Sequence, residues 1–244
     1  MRQWHSSHGH CIRWYECVGS TNDVAKEWAS DDAADGSVVC AEEQSAGRGR
    51  RGSAWVCPVG EGLTFSQILC PTMPRALWPR LALIAGLAVA KVLESQGIAA
   101  EVKWPNDVLV GGKKIAGILV ESVGDAVIVG VGLNVNVADF PLEIAEIATS
   151  MLREMGRTFE REPLLENLTH AMHAHAARAE HDFSELMLEL RERCALTGNR
   201  VSLLLGNEMH IATVAGLSER GELLIDRDGR IEALMQADQI RIIS

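Results

Sequence analysis

The sequence predicts an α+β fold: a mixed or largely antiparallel sheet flanked by helices, followed by a small SH3-like β-barrel. Three observations predict it. Strand-like runs in the middle of the chain are joined by the tight turns Gly111-Gly112 and Gly124-Asp125, as in hairpins. Longer helical stretches flank them, from about Pro79 to Gln96 and from Arg161 to Cys194. After Thr197-Gly198-Asn199 the composition changes, and about five short strands crowd into under fifty residues. The expected division is therefore 1–195 and 196–244.

Taken in order, Cys11 to Val18 reads as the first strand, with only about ten residues before it. Ser20-Thr21-Asn22-Asp23 then starts a helix, with Ser20 at the N-cap, Asp23 three residues on, and Val24, Ala25 and Trp28 at helical spacing. Asp35-Gly36 turns the chain into a strand from Val38 to Glu43, which runs straight into a loop rich in arginine and glycine. Leu63 to Leu69 is the next strand. Pro79 suits a first helical turn, where a missing N–H costs nothing, and opens the helix that follows. Strands come next at Glu101 to Trp104, Lys114 to Ser122 and Ala126 to Val135, with Val108-Leu109-Val110 as a hairpin arm. Glu143 to Ser150 reads as a short helix, and Arg161 to Cys194 as a long one broken near Asp182. The last strands are Val201 to Leu205, His210 to Leu217, Glu222 to Ile225, Arg230 to Met235 and Ile240 to Ile243.

The totals bound the function. The chain has 244 residues, 47% of them hydrophobic, which is enough for a packed core and argues against disorder. A net charge of −10 excludes non-specific binding to DNA or anionic membranes as the main activity, yet leaves room for a local positive site. The six cysteines include no C-x-x-C pair and mostly sit in apolar runs, so buried reduced thiols and a cytoplasmic location are expected. The N-terminus carries no apolar signal core, and the run from Leu81 to Leu93 is interrupted by Gly86 and Lys91, so no membrane span is expected.

Five segments carry chemistry. Gly47-Arg48-Gly49-Arg50-Arg51-Gly52 packs three arginines and three glycines into six residues of an acidic chain. Arginine forks suit carboxylates and phosphates, and glycine lets backbone approach a ligand, so the loop reads as an anion holder or as a solvated basic turn. Ser20-Thr21-Asn22 is a plain helix cap or a set of hydroxyl and amide groups for a polar ligand head. In Lys103-Trp104-Pro105-Asn106-Asp107, proline ends the strand and turns two polar side chains toward a cleft, unless this is an ordinary Asn-Asp turn. Lys114, followed by small Ala116 and Gly117, offers a charge to a carboxylate or α-phosphate with room for a ligand body, or is one of a surface pair with Lys113. The glycines of Gly130-Val131-Gly132-Leu133-Asn134 weaken a strand unless something must come close, and they are not a dinucleotide fingerprint.

These motifs, with Trp55 after the arginine loop, occur in the order and spacing of the biotin protein ligases, also called biotin–[acetyl-CoA-carboxylase] ligases. The chain resembles that family from about Cys11 to Ile243, in its monofunctional form without an N-terminal DNA-binding domain. The resemblance implies a class II synthetase-like biotin/lipoate ligase catalytic domain at 1–195 and an SH3-like domain at 196–244. It implies that biotin and ATP are joined as biotinyl-5′-adenylate with Mg2+, and that biotin then passes to one lysine of a biotin carboxyl carrier domain. Carried over residue by residue, it makes Lys114, Arg50 and Lys103 catalytic. Ser20, Thr21, Asn22 and Gln44 resemble the binders of the ureido ring. Arg48, Gly49 and Arg50 resemble a loop that closes over the biotin carboxylate and the adenylate phosphate, and Lys114 a contact to that carboxylate. Gly117, Leu119, Gly130 and Gly132 resemble the walls around biotin's ring and tail. Arg50, Arg51, Trp55, Lys103, Asn106 and Asn134 fall on the ATP side, and Asp107 is the candidate magnesium ligand.

The short N-terminal segment implies no DNA partner. A sheet-edge homodimer is known in similar ligases. The rival reading is a lipoate or octanoate transferase of the same fold, which the pattern from Gly47 to Trp55 disfavours. A non-catalytic biotin-sensing module is disfavoured by Arg50, Asp107 and Lys114 standing together. The histidines His5, His8 and His10, and separately His170, His173 and His175, are not read as a metal site, because the helical three do not share one face.

Overall fold

The computed structural model describes residues 1–243 and contains two sheets. The larger comprises β1 (Arg2–His5), β2 (Cys11–Val18), β3 (Val38–Gln44), β4 (Gly62–Leu69), β5 (Glu101–Lys103), β6 (Asp107–Val110), β7 (Lys113–Val123) and β8 (Ala126–Asn134). Their order across the sheet is β1-β2-β3-β4-β8-β7-β6-β5. β2 and β3 run parallel, as the crossover through α1 (Thr21–Ser30) requires, and the other adjacent pairs are antiparallel.

Successive strand residues point to opposite faces, and the two faces bury different sets. Val38, Cys40, Phe65, Leu69, Val127 and Val129 enter the main core, beneath α2 (Arg80–Ser95) and the later helix Arg161–Ala179. Their neighbours Val39, Ile68 and Ile128 form a smaller core with Ala25 of α1 on the other face. α1 covers only part of that face. Further along the same strands and on the same side stand Ser66, Gly130 and Leu119 in one cross-strand row, and Thr64, Gly132 and Gly117 in the next. Small residues there leave a trough beyond the start of α1.

Beyond β8 come α3 (Met151–Met155), α4 (Arg161–Ala179) and α5 (Phe183–Glu192). The second sheet, antiparallel, is built from β9 (Arg200–Leu205), β10 (Glu208–Leu217), β11 (Leu223–Arg227), β12 (Arg230–Leu234) and β13 (Asp238–Ile242) in the order β12-β11-β10-β9-β13. Its inward residues Val201, Leu203, Val214 and Ile225 join the main core. The turn before β11 holds Gly221 at φ +82, where a Cβ would stand 3.2 Å from Leu83. The Trp104 indole N–H donates to Gly221's carbonyl at 3.0 Å, so this sheet is seated on the floor of the trough's rim.

Three expectations are corrected. A strand precedes Cys11, because Trp4 stacks on Trp14 with ring centres 6.1 Å apart and Arg2 pairs with Glu162 at 2.7 Å; only tertiary contacts specify it. The segment from Glu143 to Ser150 is not a helix. It turns, then runs beside Lys114, whose N–H donates to Ile147 O at 2.8 Å and whose carbonyl accepts from Thr149 N at 2.9 Å. Ser150 instead caps α3, accepting from Arg153 N at 3.2 Å. Of the six free cysteines, only Cys40 and Cys194 are buried, and Cys17 and Cys70 are exposed. No helix among the described residues is long and apolar enough to cross a membrane.

Candidate active site

The trough is a cleft of about 980 Å3, within the range for small-molecule sites. It is lined by Ser20, Thr21, Asn22, Gln44, Arg48, Gly49, Arg50, Arg51, Trp55, Lys103, Asn106, Asp107, Lys114, Gly117, Leu119, Gly130 and Gly132. Asn134, expected on the ATP side, is not part of this lining. It is buried, and its amide donates to Thr149 O at 3.0 Å, tying down the segment before α3.

One end of the cleft is a neutral polar network at the start of α1. Ser20 holds the N-cap position but makes no capping hydrogen bond with its side chain. Gln44 does that work from β3: its Oε1 accepts from Thr21 N at 2.7 Å and Thr21 Oγ1 at 3.0 Å. Ser66 Oγ donates to Asn22 Oδ1 at 2.6 Å and lies 2.8 Å from Thr21 Oγ1, so the three polar groups form one chain. Asn22 in turn donates to Glu121 at 2.7 Å. Gly130 makes this possible, because a Cβ there would collide with the Asn22 amide.

The other end is cationic. A bulge between β6 and β7 shifts the register, pairing Val108 with Ala116 but Leu109 with Lys114, and this re-aims Lys114. Its side chain folds back over Gly117, where a Cβ would stand 3.0 Å from both Lys114 Cε and Nζ, and reaches Asp107 at 2.6 Å. Gly117 therefore makes room for the lysine, while Ala116 faces the main core. Lys103 is half-buried and forms no ion pair among the described residues; burial pushes its ammonium pKa down, against the pull of Asp107. The Trp55 ring lies on Gly132, where any Cβ would run into it, and Lys114 Nζ is 5.7 Å from the ring centre. The indole N–H is buried and has no partner among the described residues.

The arginines of the loop differ in how firmly they are held. Arg48 forks onto Asp23 through both terminal nitrogens and reaches Glu121 at 3.4 Å. Burial alone would raise Glu121's pKa, but hydrogen bonds from Lys26 and Asn22 hold it below the ordinary glutamate value. Arg50 has looser partners, Asn106 Oδ1 at 3.5 Å and Asp238 at 3.7 Å. Arg48 anchors the root of the loop, and Arg50 stays available to a ligand anion.

The sequence did not single out Ser66, Glu121, Asp238 or Arg241, although the last two line the cleft from β13. Ser66 was legible in principle, as one of three polar residues, with Thr64 and Gln67, in a strand that is buried throughout. The terminal histidines and those of α4, read separately, meet in space: His8 stacks on His170 at 3.8 Å, and His10 meets His173 edge-on at 4.9 Å.

The sequence model of the biotin/lipoate A/B protein ligase family matches residues 14–137. The bifunctional ligase/repressor BirA of Bacillus subtilis is 31% identical over 239 residues, covering 94% of this chain and 74% of that protein. A biotin–[acetyl-CoA-carboxylase] ligase of Mycobacterium tuberculosis is 33% identical over 232 residues, covering 92% of this chain and 86% of that one. Among solved structures, the biotin protein ligase of Aquifex aeolicus in complex with biotin and ATP superposes with a TM-score of 0.86 at 32% identity, covering 95% of this chain and 99% of that one.

Proposed function

Because the chain belongs to the biotin/lipoate A/B protein ligase family, we infer that it activates biotin with ATP as biotinyl-5′-adenylate and transfers the biotinyl group to a lysine of a biotin carboxyl carrier domain. The observation that carries this reading is the convergence of Arg50, Lys103 and Lys114 at one end of a cleft whose other end is neutral and hydrogen-bonding. A substrate with a polar, uncharged head and an anionic tail fits that polarity.

The first step must press two anions together. A biotin carboxylate oxygen attacks the α-phosphorus of ATP, a carboxyl–phosphate bond forms, the bond to the β-phosphate breaks, and pyrophosphate leaves with the electron pair. The side chains supply no nucleophile. Arg50, Lys103 and Lys114 lower the repulsion between the reactants and stabilise charge at the pentavalent centre. Ser20, Thr21, Asn22 and Gln44 offer the donors and acceptors that a cyclic urea requires. In the second step the neutral amine of the carrier lysine attacks the acyl carbon, the amide forms, AMP leaves and the amine proton is released.

A magnesium ion would arrive with the nucleotide, neutralising phosphate charge. Asp107 would supply one carboxylate, with phosphates and water as the remaining ligands, the usual arrangement for this ion. Free thiols at all six cysteines suit a cytoplasmic setting beside a biotin-dependent carboxylase. The test is to mix the chain with biotin, ATP and magnesium. Pyrophosphate release that depends on biotin, followed by labelling of a carrier domain, is expected. Absence of that release, or a higher rate with lipoate in place of biotin, would overturn the reading.

A further inference from the structure

We propose that Asp238 of the C-terminal sheet is a positioning residue that latches the arginine loop over the nucleotide end of the cleft. The proposal rests on the ligase reading above and adds a role for the second sheet in retaining the adenylate.

Asp238 opens β13 and lines the cleft. Its side chain is only 11% exposed, and both its oxygens meet the loop: Oδ2 is paired with Arg51, and Oδ1 lies 3.7 Å from Arg50. The Arg51 side chain is 58% exposed, so the pair is part surface and part buried: the shielded carboxylate fixes the position, and the guanidinium bonds across to it from the solvent side. The backbone on both sides is strained into line. Arg51 adopts φ +53 and Gln239, next to Asp238, adopts φ +49, a region that side chains other than glycine rarely occupy. Such conformations persist where surrounding contacts over-determine them, and here the contact between them is the ion pair. The register of β13 against β9 also breaks between Asp238 and Arg241, so the strand leaves its ladder where it meets the loop.

The two arginines divide the work. Arg51, on the outside of the turn, is spent on Asp238. Arg50 stays at loose distances and can transfer to a phosphate oxygen without the loop letting go of the sheet. A latch of this kind acts on the escape of a bound intermediate rather than on the bond-making step. No atom of Asp238 need touch the adenylate.

The experiment measures wild-type biotin-dependent pyrophosphate release first, since its absence would sink the ligase reading and leave the latch aside. Given an active wild type, Asp238→Asn is expected to raise the rate of adenylate escape, read as excess pyrophosphate per carrier labelled and as labelling of a bystander protein, by about tenfold. The maximal rate of activation at saturating substrates should fall by a smaller factor than the coupling does, which separates loss of retention from loss of chemistry. Asp238→Glu should recover most of the coupling. Because the latch acts through Arg51, Asp238→Asn should add nothing in an Arg51→Ala background. Unchanged coupling in a folded Asp238→Asn protein would overturn the proposal. So would an equal loss in the wild-type and Arg51→Ala backgrounds, or a loss that Asp238→Glu fails to relieve while the thermal midpoint is unchanged.

Discussion

The face of the large sheet that carries α1 is two surfaces in one. Beneath the helix, Val39, Ile68 and Ile128 fill the space against Ala25 and form a small dry core. Past the first turn of the helix, the same strands on the same side carry Ser66, Gly130, Gly132 and Gly117. Ile128 and Gly132 are only four residues apart on β8 and point the same way. Nothing in the strand order distinguishes the two halves. Side-chain size does, together with the point at which α1 begins. The glycines do not merely leave a void: each admits a named group, Asn22 at Gly130, Trp55 at Gly132 and Lys114 at Gly117.

If that is so, mutations in the two halves should fail in opposite ways. Gly132→Val should have the largest effect. Its branched side chain would drive the Trp55 ring off the floor of the cleft and occupy the space itself. We expect kcat/KM for biotin to fall by on the order of 10³-fold, since displacing a positioning surface by an ångström costs about a hundredfold on its own. Stability should hold, because valine suits a strand and the ring can move. Steady-state pyrophosphate release and a thermal melt on the same sample check both halves of this. A variant that melts early but turns over normally when folded would refute the division.

Ile128→Ala is the complementary case. It empties part of the small core and should cost about 2–4 kcal/mol of folding free energy. The activity of the folded fraction should be nearly unchanged, since the residues it packs with in the small core, Ala25, Val39 and Ile68, do not line the cleft. Chemical denaturation measures the first quantity and active-site titration the second. A tenfold fall in specific activity would mean that the two surfaces are mechanically coupled and that the comparison is too simple.

The contrast also explains what the sequence disclosed. The motifs around Arg50, Lys103, Lys114 and Gly130 were legible because each departs from what a strand or turn needs for its own stability. Strand alternation and tight turns gave the element order for the same local reason. What stayed hidden depends on distant pairing. Arg2 to His5 carries no periodic pattern and becomes a strand only against Cys11 to Val18. Glu143 to Ser150 has a helical composition, yet its backbone is claimed by Lys114. Asn134, expected on the ATP side, also ties its amide to Thr149, a contact that no local pattern signals. Asp238 is an ordinary acid in a short strand until the fold sets it against two arginines.

Buried polarity, compared between the cleft and the far edge of the sheet, supplies the smallest effect and the last test of this contrast. Ser66 is fully buried, but its hydrogen-bonding capacity is used, and it does not titrate. His10 is buried as well, at 8% exposure, and its Nε2 has no partner among the described residues. Around it stand His173, His170 and His8, with Asp35 held by His173 at 2.9 Å. Burial, then the neighbouring histidines, push the His10 pKa below its ordinary value, while Asp35 opposes them. In the unfolded chain His10 titrates near 6.5. Between that value and the lower folded one, the unfolded state binds more protons, so stability is lost as pH falls through this window. His173 works in the opposite sense. Its hydrogen bond to Asp35 raises its pKa, so the stability it adds is present in acid and fades as pH rises through the folded value. His10→Gln keeps a polar side chain but removes the depressed titration. Thermal melts of both proteins from pH 7.5 down to 5 should therefore diverge, the wild type losing up to roughly 1.4 kcal/mol more for each unit by which the His10 pKa is depressed. Parallel curves would mean that the buried ring carries no proton-linked cost, and that polar burial here is as neutral as it is at Ser66.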